Sequence, residues 1–226
     1  MKKILIVFVA TCMFVVVNAQ TDAGGKFIGG TIKIGTASFF NPDSVGYFKG
    51  NNFDFQIAPE FGYFVADNFA IGASLFFGTS TEKMFDEFLN LEKTQKISEL
   101  SFGGGIFGHY FIELNKNLYL SFKGTLGYYN TKGETSITTP PHSGLPLTTI
   151  VGVSTTSNAI TFNILPSIEY FVNDNLSLSL SFGNLYVSQI WTKNLLLTTP
   201  SSYTTTDFGL DLDLSSVKFG IKFFME

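Results

Sequence analysis

Pro59-Glu60-Phe61-Gly62-Tyr63-Phe64-Val65-Ala66-Asp67-Asn68-Phe69-Ala70-Ile71 recurs later in the chain as Pro166-Ser167-Ile168-Glu169-Tyr170-Phe171-Val172-Asn173-Asp174-Asn175-Leu176-Ser177-Leu178. A looser copy, His109-Tyr110-Phe111-Ile112-Glu113-Leu114-Asn115-Lys116-Asn117-Leu118-Tyr119-Leu120, lies between them. Each copy reads as an alternating strand that ends in aromatics, a tight polar turn at Asn, and a second alternating strand. Three such hairpins with long polar stretches between them predict an all-β chain, an eight-stranded antiparallel up-and-down transmembrane β-barrel.

The surrounding sequence keeps the same period of two. Leu176, Leu178, Leu180 and Phe182 alternate with Ser177, Ser179, Ser181 and Gly183. Phe53, Phe55, Ile57, Phe61, Tyr63 and Val65 alternate with smaller or polar residues, as do Leu118, Leu120, Phe122, Leu126 and Tyr128. On a strand this gives one apolar face and one polar or small face. The expected strands are 25–40, 52–66, 69–80, 98–113, 118–131, 159–172, 176–188 and 207–224. Several reach the ~9–11 residues that a tilted strand needs to cross a bilayer. Short connections at Ala66–Asn68, Leu114–Asn117 and Asn173–Asn175 alternate with longer ones near 41–51, 81–97, 132–158 and 189–206. That asymmetry predicts periplasmic turns on one side and long extracellular loops on the other.

Composition agrees with this reading. Charged residues make up 14% of the chain, against about 25% in a typical soluble domain. Aromatics reach 16%, with 26 Phe, yet no apolar run past the first residues is long enough for a spanning helix. A net charge of -4 excludes a basic field for nucleic acid. At the start, Lys2 and Lys3 precede the apolar run Ile4–Val17, and Val17-Asn18-Ala19 offers small residues for cleavage. Residues 1–19 are therefore expected to be a cleaved signal peptide and 20–226 an outer-membrane β-barrel domain. Cys12 falls inside the apolar run, so the mature chain is expected to have no disulfide and no thiolate metal site.

The polar phase of the strands supplies the candidate site. If the apolar face meets lipid, then Lys33, Asp54, Glu60, His109, Lys123, Glu169, Lys218 and Lys222 point inward. A Lys facing lipid at mid-bilayer would cost about 2–4 kcal/mol, which the inward phase avoids. Both signs are present, and an eight-stranded barrel is just wide enough for side chains to fill. The expectation is a charge network of Lys33, Glu60, His109, Lys123, Glu169, Lys218 and Lys222, with Glu60 and Glu169 pairing to some of the lysines. The aromatics read as two interfacial bands. Tyr63, Phe64, Phe69, Tyr110, Phe111, Tyr119, Tyr170, Phe171 and Phe223 lie near the short turns; Phe39, Phe53, Phe77, Tyr128, Tyr186 and Trp191 lie near the long loops.

No motif points to catalysis, to a cofactor or to a metal site. Of the two histidines, His142 lies in a Pro-rich loop that would orient no triad, and His109 has no serine nucleophile in an obvious register. Gly103-Gly104-Gly105 lies within a strand, so it reads as relief of crowding and not as a phosphate loop.

The whole stretch after residue 19 resembles the small eight-stranded outer-membrane barrels, the group of OmpX, OmpW and the OmpA barrel, and above all the compact Bacteroidetes-type barrels. The residues that carry the likeness are the Tyr-Phe-Val-x-Asp-Asn hairpins and the last strand, Val217 to Phe223. The resemblance implies an assembly signal at Phe219, Ile221 and Phe223, read by the barrel assembly machinery, although Phe224-Met225-Glu226 follow the usual terminal aromatic. It implies a monomeric, non-enzymatic protein of the Gram-negative outer membrane whose partner is membrane lipid. The long loops are where an extracellular ligand would bind. A narrow channel for small ions or hydrophobic solutes, a lipid A acyl-modifying enzyme and a secreted lipocalin-like barrel are the alternatives left open.

Overall fold

The computed structural model describes residues 21–42, 46–88, 91–139, 148–196, 201–211 and 217–225. The expected signal peptide, Cys12 and His142 lie outside these residues.

Every described element is a strand: β1 (Lys26–Pro42), β2 (Gly46–Ala66), β3 (Phe69–Phe88), β4 (Leu91–Asn115), β5 (Leu118–Thr139), β6 (Thr148–Asn173), β7 (Leu176–Ser181), β8 (Asn184–Leu196), β9 (Ser201–Asp211) and β10 (Lys218–Met225). All pairings are antiparallel, and each of β1 to β5 pairs with its successor in the chain. β6 pairs with β5 on one side. On the other it pairs with β7 near the turns and with β8 farther up, so these two segments occupy one barrel position. β9 and β10 share the next position, against β8 and β7 respectively. The ladder from Lys26–Met225 to Ile32–Phe219 joins β10 back to β1 and closes a ring of 8 strands. The fold is an eight-stranded antiparallel up-and-down barrel.

Alternation gives the barrel its outer surface. Phe69, Ile71, Leu75 and Phe77 on β3, Leu100, Phe102, Ile106, Tyr110 and Ile112 on β4, and Ile160, Phe162, Ile168, Tyr170 and Val172 on β6 are all exposed. The facing strands add Ile28, Ile32 and Ile34 on β1, Leu126 and Tyr128 on β5, and Leu178 and Leu180 on β7. These residues form one continuous apolar belt. Along β3 it runs from Phe69 to Phe77, a length that matches the ~9–11 residues of a tilted bilayer crossing. Above it the outward positions turn polar: Thr79 and Thr81 on β3, Ser98 on β4, Asn130 on β5 and Asn158 on β6.

At Phe182-Gly183 the seventh barrel strand breaks. Leu178 and Leu180 face outward below the break, and Leu185 and Val187 face outward above it, so the phase slips by one residue there. Gly183, at φ 72, takes the left-handed conformation that this slip uses and that a side chain would disfavour. The slip keeps the apolar side out on both halves.

The segments expected as long loops differ from that reading. The β3–β4 ladder continues to Phe88–Leu91 and the β5–β6 ladder to Thr139–Thr148. Thr148–Ser157 and Leu91–Ile97 are therefore strand, and the expected loops are mostly tall hairpins that rise above the belt. In the β5–β6 hairpin, Thr131–Ser136 and Ser154–Ser157 are polar on both faces, which suits a solvated ladder and hides the period of two.

Candidate functional site

The turn side of the lumen is built by the repeated phrase itself. In each copy the Tyr-Phe pair splits across the strand. Tyr63, Tyr110 and Tyr170 are 41%, 50% and 51% exposed on the outside, whereas Phe64, Phe111 and Phe171 are 0%, 1% and 0% exposed inside. Phe64, Phe111, Phe171 and Tyr119 therefore do not belong to an interfacial band. They share the parity of Glu60, His109, Glu169 and Ser121 on their own strands, and the strand pleat turns them inward. Phe224 joins them, also buried.

A recurring clamp fixes these rings. The backbone carbonyl of each turn Asn accepts from the N–H of the inward Phe on a neighbouring strand: Phe111 N to Asn68 O at 2.9 Å, Phe171 N to Asn117 O at 2.8 Å, and Phe224 N to Asn175 O at 2.7 Å. Asn117 and Asn175 also donate from their side-chain amides to the carbonyls of Phe171 and Phe224, at 3.0 and 3.1 Å. Asn68, at φ 63, instead accepts the hydroxyl of Thr21 at 2.7 Å. The N-terminal segment completes the circle, with Gly24 N–H donating to Phe64 O and Phe64 N–H to Gly25 O. The rings meet across the lumen: Phe64–Phe111 at 5.6 Å, Phe171–Phe224 at 4.9 Å, and Phe27 between Phe64 and Phe224 at 5.9 and 5.5 Å. These separations suit aromatic contact. They make an aromatic floor. A side chain at Gly62 would overlap the Phe27 ring and one at Gly72 the Phe107 ring, so these glycines leave room for it.

Directly above the floor lies the charged layer. Lys123 Nζ is 2.6 Å from Glu60 Oε2. Lys222 Nζ is 2.7 and 2.8 Å from the two oxygens of Glu169, which also accepts the hydroxyl of Ser177. Both carboxylates are buried, as is Lys222. The ammonium groups sit over ring faces as well, Lys123 over Phe107 at 5.6 Å and Lys222 over Phe111 at 5.9 Å. The imidazole of buried His109 packs on Phe111 at 4.2 Å, and neither of its nitrogens has a hydrogen-bond partner among the described residues. Glu60 Oε1 and Ser121 Oγ are likewise unpartnered there.

Of the sequence-derived set, Glu60, Lys123, Glu169, Lys222 and His109 are brought into this one layer. Lys33 and Lys218 stand higher. Lys218 has Lys123, Lys33 and Asp211 as charged neighbours and makes no ion pair among the described residues. Asp54 accepts from Asn52 Nδ2 at 3.2 Å. Phe219 and Ile221 are exposed on the outer face of β10. The aromatic floor and the Asn clamp were missing from the sequence reading. Parity alone was sufficient to place Phe64, Phe111 and Phe171 inside, but the clamp depends on cross-strand stagger, which sequence does not give.

Higher still, the lumen is lined by hydroxyls. Thr161 bonds Ser188 at 2.8 Å, Ser157 bonds Thr192 at 3.0 Å, and Ser101 bonds Thr131 at 2.8 Å. Phe76 and Tyr129 meet edge to face at 5.3 Å in the same region.

No protein-family model matches this chain, and no curated protein does. Solved structures do. The outer membrane protein OprG from Pseudomonas aeruginosa is 11% identical, covering 93% of this chain and 100% of that one at a TM-score of 0.49. A major outer membrane protein from Thermus thermophilus is 13% identical over 89% and 99% of the two chains, at a TM-score of 0.44. Ail, the attachment invasion locus protein of Yersinia pestis, is 12% identical over 90% and 99%, at a TM-score of 0.28.

Proposed function

We propose that this chain is an integral outer-membrane barrel of a Gram-negative bacterium, exported by its N-terminal signal peptide, closed at its turn side and non-enzymatic. In this reading it serves as a structural or surface-interacting protein through the hairpins that rise above the belt. The observation that carries the proposal is the division of each strand. An apolar outer belt of bilayer height surrounds a lumen whose lower half is filled by aromatic rings and two ion pairs.

The physical argument runs from solvent. Where β10 meets β1, from Lys26–Met225 to Ile32–Phe219, the closed ring satisfies its backbone hydrogen bonds internally, which lipid requires of a spanning structure. In water the belt would expose far more contiguous apolar surface than the few hundred Å² usual for soluble monomers. In lipid it costs nothing of that kind. A lipocalin-like secreted barrel would keep a ligand cavity inside an apolar wall, whereas here the aliphatic belt points out and the inward rings pack on one another.

The charged layer gives the barrel a unique interior. Each ammonium has a carboxylate and a ring face, so both ion pairs are shielded from water and partly compensated. Such pairs are weak evidence of net stability but costly to break from one side. An ion path would have to pass Phe27, Phe64, Phe111, Phe171 and Phe224 before reaching the turn side. An acyl-transfer reading would need His109 to hold a nucleophile, whereas its ring is packed against Phe111.

Membrane fractionation tests this reading. The protein should separate with the outer membrane and migrate faster on SDS gels before boiling than after. Recovery in the soluble periplasmic or extracellular fraction, with a single gel mobility, would overturn it.

A further inference from the structure

Where β10, β1 and β2 meet, the apolar belt is notched. The outward positions of β1 are Lys26, Ile28, Gly30 and Ile32, with Phe27 buried behind them. Gly30 lies on one cross-strand row between Ile221 of β10 and Pro59 of β2, and it has no side chain to fill that row. A groove of about 440 Å³ opens there, floored by Gly30 and walled by Ile28, Ile32, Pro59, Ile221 and Phe223. At a strand rise of 3.3 Å and a 45° tilt, Ile28 to Ile32 stand roughly 5–14 Å above Lys26. In a hydrocarbon core about 30 Å thick, that is the acyl depth of the turn-side leaflet. Lipid tails are as apolar as the belt, so a groove selects a lipid only by close packing and by what holds its headgroup.

The rim below the groove narrows the headgroup. Met225 forms its turn-side end and lies directly across from Lys26. On its other side Lys26 faces the outward, exposed Tyr63. Lys26 is exposed and makes no ion pair among the described residues. Its stem can lie on the belt margin while its ammonium reaches toward the turns. Carboxylates stand farther out: Asp22 lies four residues beyond Lys26 along the chain, and Asp67 four beyond Tyr63. Asp67 holds the Ala23 N–H at 3.0 Å with one oxygen, Oδ1. Asp174 is on the turn beside β10 and already has a partner, and Glu226 follows Met225 in the sequence. One ammonium at the belt edge with carboxylates beyond it is a poor match for an anionic lipid. It is a good match for a zwitterion whose phosphate lies nearer the acyl chains than its ammonium does.

We infer that the groove along β1 and the rim at Lys26 and Tyr63 hold one phospholipid of the turn-side leaflet with an ethanolamine headgroup. One acyl chain runs past Gly30, the phosphate meets Lys26, and the ammonium points toward Asp22 and Asp67. The inference rests on the membrane reading above. It sets a fixed lipid against the β1–β10 ladder that closes the ring.

The test uses the whole refolded barrel in neutral detergent micelles, with binding read by native mass spectrometry. The probes share two oleoyl chains and differ in headgroup: phosphatidylethanolamine, phosphatidylglycerol and diacylglycerol. Phosphatidylethanolamine should bind roughly two- to fivefold tighter than phosphatidylglycerol, the reach of one exposed ion pair. It should bind at least ~5-fold tighter than diacylglycerol, the worth of one lysine at a lipid surface. Lys26→Gln should weaken phosphatidylethanolamine about fivefold, whereas Lys116→Gln, on the β4–β5 turn, should leave it unchanged. Ile28→Trp fills the groove with an apolar ring at a lipid-facing position. It should weaken binding at least ~5-fold while the heat-modifiable band persists, and Ile168→Trp on β6 should not. Diacylglycerol bound as tightly as phosphatidylethanolamine, phosphatidylglycerol bound at least as tightly, or unchanged binding in Lys26→Gln or Ile28→Trp would overturn the site. So would a dimer that Ile28→Trp abolishes, because the occupant of the groove would then be a second copy of the chain. A barrel that shows two gel mobilities yet has no headgroup preference sinks this inference alone. A chain that never enters micelles or membranes as a heat-modifiable species sinks the membrane reading beneath it.

Discussion

The two halves of the lumen are made from the same alternating strands and filled by different means. On the turn side, Phe27, Phe64, Phe111, Phe171 and Phe224 interlock beneath the Lys123–Glu60 and Lys222–Glu169 pairs. On the hairpin side, Thr161–Ser188, Ser157–Thr192 and Ser101–Thr131 line the wall with short neutral hydrogen bonds. The lower half contains the unbroken closure from Lys26–Met225 to Ile32–Phe219. The upper half contains the interruption at Phe182-Gly183. The contrast teaches that one barrel radius can be filled by interlocked rings and ion pairs at one end and lined largely by short hydroxyl side chains, with the single ring pair Phe76–Tyr129 among the described residues there, at the other. Stability is therefore expected to concentrate where the rings are, and adaptability where the hydroxyls are.

The largest effect should come from the floor. Phe224→Ala removes a buried ring that contacts Phe27, Phe64 and Phe171. Deleting such a ring costs about 3–5 kcal/mol, because the lost contacts and the remaining cavity add. Urea titration of the refolded barrel in micelles should register that loss. A change below about 1 kcal/mol would mean that the floor is loosely packed and would dissolve the contrast between the halves.

The ion pairs should come next, and they sharpen the comparison because a control exists. Glu169→Gln leaves the Lys222 ammonium in its buried place without a countercharge, a loss of about 3–5 kcal/mol for pairs of this kind. Glu169→Leu combined with Lys222→Met should recover most of it, since an apolar replacement of the whole pair is often neutral. If the double variant is as unstable as the single one, the pair is an indispensable part of the fold and not a replaceable filling.

The smallest changes should lie in the upper wall and the clamp. Thr161→Val cuts one hydroxyl pair and should cost about 0.5–1.5 kcal/mol. Asn175→Ala removes the amide bond to the Phe224 carbonyl, while the Asn175 carbonyl still holds the Phe224 N–H. It should cost a similar amount, about 1 kcal/mol, and should loosen the floor specifically. Hydrogen exchange can separate the two: Asn175→Ala should speed exchange at the Phe224 amide, and Thr161→Val should not.

Much of this architecture was legible in the sequence. The period of two in Leu176, Leu178 and Leu180 placed lipid and lumen on opposite faces, and the Asn turns placed the short connections. The same rule, applied to Phe64, Phe111 and Phe171, puts them inside; their nearness to the turns favoured an interfacial band instead. The ion-pair partners were legible only as a set. Glu60 lies on β2 and Lys123 on β5, so their meeting depends on the stagger of the ring and not on any local spacing. The tall hairpins were hidden for a different reason. Residues such as Thr135, Ser136, Thr155 and Thr156 are polar on both faces, so no amphipathic period marks them as strand.

The central claim, that the turn-side half seals the lumen, is most directly tested by planar-bilayer recording on the refolded wild-type protein. The account predicts a silent membrane across the usual range of voltages, with protein insertion verified by its heat-modifiable band. Stable, long-lived openings of the wild-type barrel would contradict it, because ions would then be crossing the level of Phe27, Phe64, Phe111, Phe171 and Phe224.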